Sequence, residues 1–270
     1  MDTSQAVEVT GLSYKFPHAE EESLTDVNLV LPWRKRMLLC GSNGAGKSTL
    51  LKLLSGKHLC RSGNIRVDGR DPFAPANTAD PADVMVTAYL GTEWCHMAIV
   101  HRDIGVQELL DSIGLQHFRE RGTELLRILD VDLRWRMHRL SDGQKRRVQL
   151  CMGLLKPFKL LLLDEVTVDL DVVARTKLLH FLRLETERRE CSIIYATHIF
   201  DGLADWPDRV VHIAHGRVLA DLDVARDVSF AADRTDVVEA AGRVRIGHVR
   251  SLHPLALAWL ARDEGKMASE

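Results

Sequence analysis

The chain has 270 residues, with 36 Lys plus Arg against 38 Asp plus Glu and a net charge of -2, a balance that excludes a globally basic nucleic-acid coat. With 46% apolar and 27% charged residues it is not dominated by disorder; no run approaches the roughly 18 apolar residues of a membrane helix, and the opening MDTSQAVEVTG lacks a secretory leader's order. The five scattered cysteines, Cys40, Cys60, Cys95, Cys151 and Cys191, fit neither a disulfide framework nor a zinc knot, which predicts reduced, mostly buried thiols in a cytoplasmic or nuclear protein.

Taken in chain order, residues 6–9 and 24–31 predict strands, separated by the polar loop HAEEES at 18–23. Residues 37–40 form a compact apolar strand that runs into glycines, and the pattern at 48–54 is helical. Residues 64–67 and 84–90 predict further strands, with a Pro, Ala and Asp-rich loop over 71–83. Helical periodicity dominates 92–156, clearest over 106–113 and 123–129, so this stretch reads as a helical subdomain inserted into an α/β core. Residues 160–163 are apolar throughout, as in a strand buried on both faces. A helix over 172–188, a strand over 192–196, a short helical turn at 203–206 before Pro207, and a hairpin turning at His215 and Gly216 complete the domain. Its expected extent is 1–220, with the helical subdomain at about 93–156; residues 221–270 are expected as an extension packed on the core.

The segment Gly41, Ser42, Asn43, Gly44, Ala45, Gly46, Lys47, Ser48, Thr49 matches G-x-x-x-x-G-K-[ST], between a strand and a helix as that motif requires. Glycines let consecutive N–H groups face one anion, and the following helix adds its positive end. Lys47 sets a point charge against the β and γ phosphates, and the Ser48 hydroxyl is offered to Mg2+. By chance this pattern arises roughly once per hundred chains of this length. The buried strand 160–163 ends in Asp164 and Glu165, at the carboxyl edge where open α/β sheets bind ligands. Asp164 is expected to hold Mg2+ through water, and Glu165 to polarise a water for attack on the γ-phosphorus. The bland alternative is a pair of acids capping the next helix. The strand at 192–196 ends in Thr197 and His198; a lone histidine is more often structural, but at this edge it can position a γ-phosphate.

Leu140, Ser141, Asp142, Gly143 and Gln144 then look like the ABC signature motif, usually LSGGQ. With the phosphate loop, the LLLLDE strand and His198 in order, the chain resembles an ABC-type ATPase domain over about residues 6–220. The resemblance implies a P-loop NTPase core of ABC type with an N-terminal antiparallel β subdomain and an inserted helical subdomain, using ATP and Mg2+. It implies two domains head to tail, with ATP between them. Ser141, Gly143 and Gln144 would face the partner domain's nucleotide; Glu165 resembles the catalytic base, His198 the switch histidine and Asp171 the dimer-contacting aspartate. Lys47 completes the expected catalytic set, and Phe16, or Tyr14 beside it on one strand face, aligns with the aromatic that stacks on adenine.

Three departures stand out. Asp142 replaces the first signature glycine and is expected to point aside; Val166 and Asp169 replace a common Pro and Gly. The glutamine expected after the strand containing Tyr89 is missing, with Thr92 or Glu93 as substitutes near Mg2+. LSDGQKRRVQLCMGLL, LLLLDEVTVDLDVVART, YATHIFDGLADWPDRV, YLGTEW and SLHPLALAWL together resemble a soluble, stand-alone eukaryotic ABC ATPase group. That group includes a fungal protein described as associated with the mRNA deadenylase complex and plant soluble subfamily I members. SLHPLALAWL read alone is an amphipathic helix starting at His253 and Pro254. The expected partners are a second copy of the chain and a protein complex acting in gene expression. The alternatives are a separately encoded permease, which the altered glutamine argues against, and a ribosome or nucleic-acid role, which the single cassette argues against. The basic run Lys145, Arg146, Arg147 is expected to be structural.

Overall fold

The computed structural model describes residues 5–60, 62–73, 85–91, 102–230, 237–240, 243–246 and 250–267. At its centre are five parallel strands, β5 (Met85–Leu90), β6 (Phe158–Asp164), β7 (Ser192–Ala196), β3 (Arg36–Cys40) and β8 (Arg209–Ala214), in that order, closed by antiparallel β9 (Arg217–Asp223). Successive side chains of a strand leave opposite faces, and both faces here are covered. Leu38, Cys40, Leu161, Leu163, Ile193 and Tyr195 face one core; Met37, Leu39, Leu160, Leu162, Ile194 and Ala196 face the other. That is why these strands are apolar without alternation.

The second core is closed by helix α1 (Lys47–Leu54) and by an antiparallel sheet, β2 (Leu24–Leu31), β1 (Val7–Tyr14) and β4 (Ser62–Val67). β1 runs further than the sequence pattern over 6–9 indicates. Its register shifts between Val9 and Leu12 and again before Tyr14, around Gly11 at φ 58°, and the irregularity breaks the period of two.

The first core is closed by α2 (Val106–Ser112), α3 (Arg119–Leu129), α4 (Asp142–Leu155) and α5 (Val172–Arg188). The architecture is the expected one, an α/β core with an antiparallel β subdomain and a helical subdomain. Residues 203–206 form successive turns rather than a helical one: Leu203 N–H bonds to Phe200 and Trp206 N–H to Leu203, with Gly202 at φ 70°. The Trp206 indole donates to Leu179 O at 2.9 Å.

β9 runs across position 220, then a short helix α6 (Val224–Asp227) and a hairpin of β10 (Val237–Ala240) and β11 (Arg243–Ile246) lead to α7 (His253–Met267). Leu252, Ala256 and Trp259 enter the first core. Trp259 stacks on His212 of β8 at 4.8 Å, and His212 Nε2 meets Asp263 Oδ2 at 3.0 Å, both buried.

Candidate nucleotide site

β3 is buried along its whole length and ends against Gly41. A Cβ at Gly41 would lie 2.2 Å from the Ile213 carbonyl of β8, and one at Gly46 would lie 2.7 Å from Leu24 Cδ2 and 2.8 Å from Ser23 O. Gly46 also sits at φ 105° and Gly44 at φ 80°, so two of the loop's glycines answer to conformation and two to close approach. Gly46 caps α1 with no side-chain acceptor, which leaves first-turn N–H groups for an anion. Lys47 is 7% exposed, and its Nζ donates to Gly41 O at 2.8 Å and Ser42 O at 3.0 Å. Burial pulls the Lys47 pKa down, while Glu165 and Asp164 oppose it. Asn43 is exposed and Ala45 buried, and Thr49 is half-buried on α1. The neighbouring Cys40 thiol is pushed up to about 12 by burial and stays protonated at neutral pH.

Asp164 ends β6 on the face that α1 covers. Ser48 Oγ donates to Asp164 Oδ1 at 3.0 Å, and the Tyr89 hydroxyl donates to Oδ2, also at 3.0 Å. A hydroxyl and a buried carboxylate converging here form the hard-oxygen donor set that Mg2+ takes with phosphates, so Ser48 and Asp164 fit the ion. Glu165 turns the other way. Its backbone is left-handed at φ 54°, and its Oε2 accepts from His198 Nδ1 at 2.9 Å and His198 N–H at 3.3 Å. It does not cap the following helix; Asp171 does, accepting from Ala174 N–H at 2.9 Å. Thus Lys47, Ser48, Asp164, Glu165 and His198 gather at the carboxyl ends of β3, β6 and β7.

Tyr14 and Phe16 do not share a strand face. β1 stops at Tyr14, Phe16 opens a turn whose carbonyl accepts from Ala19 N–H, and the two rings meet edge to face at 5.0 Å. His58, not singled out in the sequence, stacks on Tyr14 at 6.0 Å and meets the Phe16 edge at 5.6 Å. Tyr14 pairs with Leu24, the residue against Gly46, which sets this aromatic cluster beside the phosphate loop.

The signature residues are not brought to these groups. Ser141, Gly143 and Gln144 line a separate cleft of about 390 Å³ with Asp130, Trp135, Arg147, Asp169 and Asp171. Ser141 caps α4: its Oγ accepts from Gln144 N–H at 3.3 Å and the Gln144 amide oxygen accepts from Ser141 N–H at 3.0 Å. Asp142 points outward, 86% exposed, and pairs with Lys145 at 3.2 Å. The basic run is used internally. Arg146 reaches Asp169 at 3.3 Å, and Arg147 reaches Asp130 at 3.1 Å and Asp171 at 2.6 Å. The Ala174 N–H, and then Arg147, hold the Asp171 carboxyl below its usual range. Thr92 and Glu93 lie outside the described residues.

Tyr89 was legible only through sheet register. It pairs with Leu162 on β6, so Asp164 lies two residues along on the same face.

Residues 24–168 match the family described as ABC transporter. The chain is 58% identical to CCR4-associated factor 16 of Saccharomyces cerevisiae over 96% of this chain and 95% of that protein. It is 44% identical to ABC transporter I family member 20 of Arabidopsis thaliana over 80% of this chain and 69% of the relative. The dimeric bacterial ABC transporter cassette MJ0796 superposes with a TM-score of 0.68 at 18% identity, over 81% of this chain and 98% of that one, a likeness of fold. The chain belongs to the ABC transporter family, as an ATP-binding cassette of the kind that family uses to hydrolyse ATP.

Proposed function

We propose that this chain binds Mg-ATP and hydrolyses it in a head-to-tail dimer of two copies, coupling closure and opening to a protein partner. The observation that carries this reading is the division of the site. Phosphate, metal and base groups gather at one edge, whereas Ser141, Gly143 and Gln144 wall a different cleft. One chain then supplies both kinds of half-site but completes neither, and two chains placed head to tail complete both. That MJ0796, a cassette of the same fold, is dimeric supports a pair of chains.

In this reading Phe16 and Tyr14, with His58 beside them, receive the adenine. The backbone of residues 41–49 and the Lys47 ammonium cradle the phosphates, and Ser48 and Asp164 hold Mg2+. The ion, when bound, neutralises charge on the β and γ phosphates. Glu165 accepts the proton of the attacking water, and His198 fixes the carboxylate's direction through Nδ1, leaving Nε2 for the γ-phosphate. Asp171, at the start of α5, meets the second copy. The name of the yeast relative, a CCR4-associated factor, supports a protein complex as the partner, and in this reading that complex acts in gene expression in the cytoplasm or nucleus.

Glu165→Gln tests it. Hydrolysis is expected to fall by a factor of about 100 to 10,000 with ATP still bound. Light scattering with Mg-ATP is expected to move from the 30.4 kDa of one chain to about twice that. A monomer at saturating Mg-ATP rejects the homodimer; dimerisation only with a related ATPase, or closure only on a permease, points to those partners instead.

A further inference from the structure

The Tyr89 phenol reaches the carboxylate assigned to the metal, and the protein is built so that it can. Tyr89 stands on β5 in register with Leu162 of β6, and its hydroxyl donates to Asp164 Oδ2 at 3.0 Å. Ser48 takes the other oxygen, Oδ1, at the same distance. A carboxylate held at both oxygens has lost its rotation about the terminal bond, and the oxygen turned to Ser48 is set by the one that Tyr89 holds. The ring is itself located. Lys57 Nζ stands 4.4 Å over its face, and Gly91 lies beneath it so closely that a Cβ there would be 2.6 Å from the hydroxyl and 2.9 Å from two ring carbons. Gly91 is in turn pinned by α4, the helix that begins at the signature residues. Its carbonyl accepts from Gln149 Nε2 at 2.8 Å and from Arg146 Nη1 at 3.2 Å, both buried side chains. A continuous set of contacts therefore runs from α4 through Gly91 and Tyr89 to Asp164.

We propose that Tyr89 is a positioning residue for the magnesium-binding carboxylate, with Gly91 as the seat that lets helix α4 set its place. The proposal rests on the reading of Ser48 and Asp164 as the metal-binding pair. Tyr89 itself touches neither nucleotide nor ion in this role. It keeps one oxygen of Asp164 occupied, so that the other faces Ser48. Because α4 carries Ser141 at its start, a movement of that helix reaches the metal pair of its own chain through a glycine with no side chain to spare.

Tyr89→Phe removes only the hydroxyl and keeps the ring over Gly91 and under Lys57. The measurement is calorimetric affinity for ATP with and without Mg2+, supported by the Mg2+ concentration giving half-maximal binding. In Y89F the metal-free affinity is expected to be unchanged, while the half-maximal Mg2+ concentration rises about tenfold. Gly91→Ala is expected to displace the phenol and reproduce that shift, and the double variant to shift no further than either single one, as for two changes acting through one contact. A role confined to ring packing leaves Mg2+ dependence alone in Y89F, since the ring remains. Ser48→Ala separates the two failures. Loss of Mg2+ dependence in S48A with wild-type behaviour in Y89F overturns the proposal and keeps the metal pair. Wild-type Mg2+ dependence in both removes the metal pair and the proposal with it. Strict additivity of Y89F and G91A overturns the seat.

Discussion

The phosphate half-site and the signature half-site are built on opposite principles. The first is anchored in the sheet. Lys47 and Asp164 are 7% and 6% exposed, and the loop between β3 and α1 is fixed by close approaches of Ile213, Ser23 and Leu24. The second stands at the end of one helix and is held by its own capping box, with a neighbouring aspartate in solvent. A half-site locked by burial is shaped before any ligand arrives. One held by local hydrogen bonds presents groups outward, as a surface awaiting a second molecule requires.

The buried half-site offers the first test. Lys47→Ala removes an ammonium whose partners are loop carbonyls, so the fold should survive. Truncating a buried charge that meets an opposite one costs about 2–5 kcal/mol, or a factor of about 30 to several thousand in affinity. Calorimetry that finds ATP affinity unchanged in K47A, with an unaltered far-ultraviolet spectrum, removes the phosphate assignment.

A second test concerns what the sheet-anchored half leans on. β8 carries Ile213 against Gly41, and one residue earlier His212 stacks on Trp259 and meets Asp263 of α7. Trp259→Ala is expected to cost about 3–5 kcal/mol in urea unfolding, as for other large buried aromatic truncations. A cost below about 1 kcal/mol shows that α7 is not part of the core that supports the loop.

Most of the parallel sheet could be read from composition, because a strand covered on both faces is apolar without interruption: residues 160–163 and 192–196 announce themselves. The phosphate loop was equally plain, since glycines at fixed spacing have few other uses. What escaped reading depends on pairs of distant residues. The continuation of β1 past Gly11 is hidden by its bulge, and the meeting of Tyr14, Phe16 and His58 needs the antiparallel sheet in place. Tyr89 against Asp164 needs the order of β5 and β6. The His212 and Asp263 pair joins positions 51 residues apart in a tail whose pattern is that of any amphipathic helix.

The exposed half-site responds more weakly. Ser141 has two roles, one in the chain as found here and one in the dimer proposed above. As a cap it satisfies one backbone donor of α4, and capping serines replaced by alanine lose about 1 kcal/mol. In the free chain Ser141→Ala should therefore cost about that much in urea unfolding, and Gln144, left with one half of the reciprocal pair, should not add the full cost of a second cap. ATP binding by the monomer should not change, since the phosphate loop lies in a different part of the molecule from the Ser141 cleft. Introduced into E165Q, however, S141A should weaken the Mg-ATP-driven doubling in mass by more than the cap alone accounts for, because the hydroxyl it removes is the one that faces the second copy's nucleotide in the proposed dimer. If sedimentation shows the same ATP dependence with and without the serine, its function ends at the helix cap, and the exposed half-site must be assigned to Gly143, Gln144 and the α4 backbone.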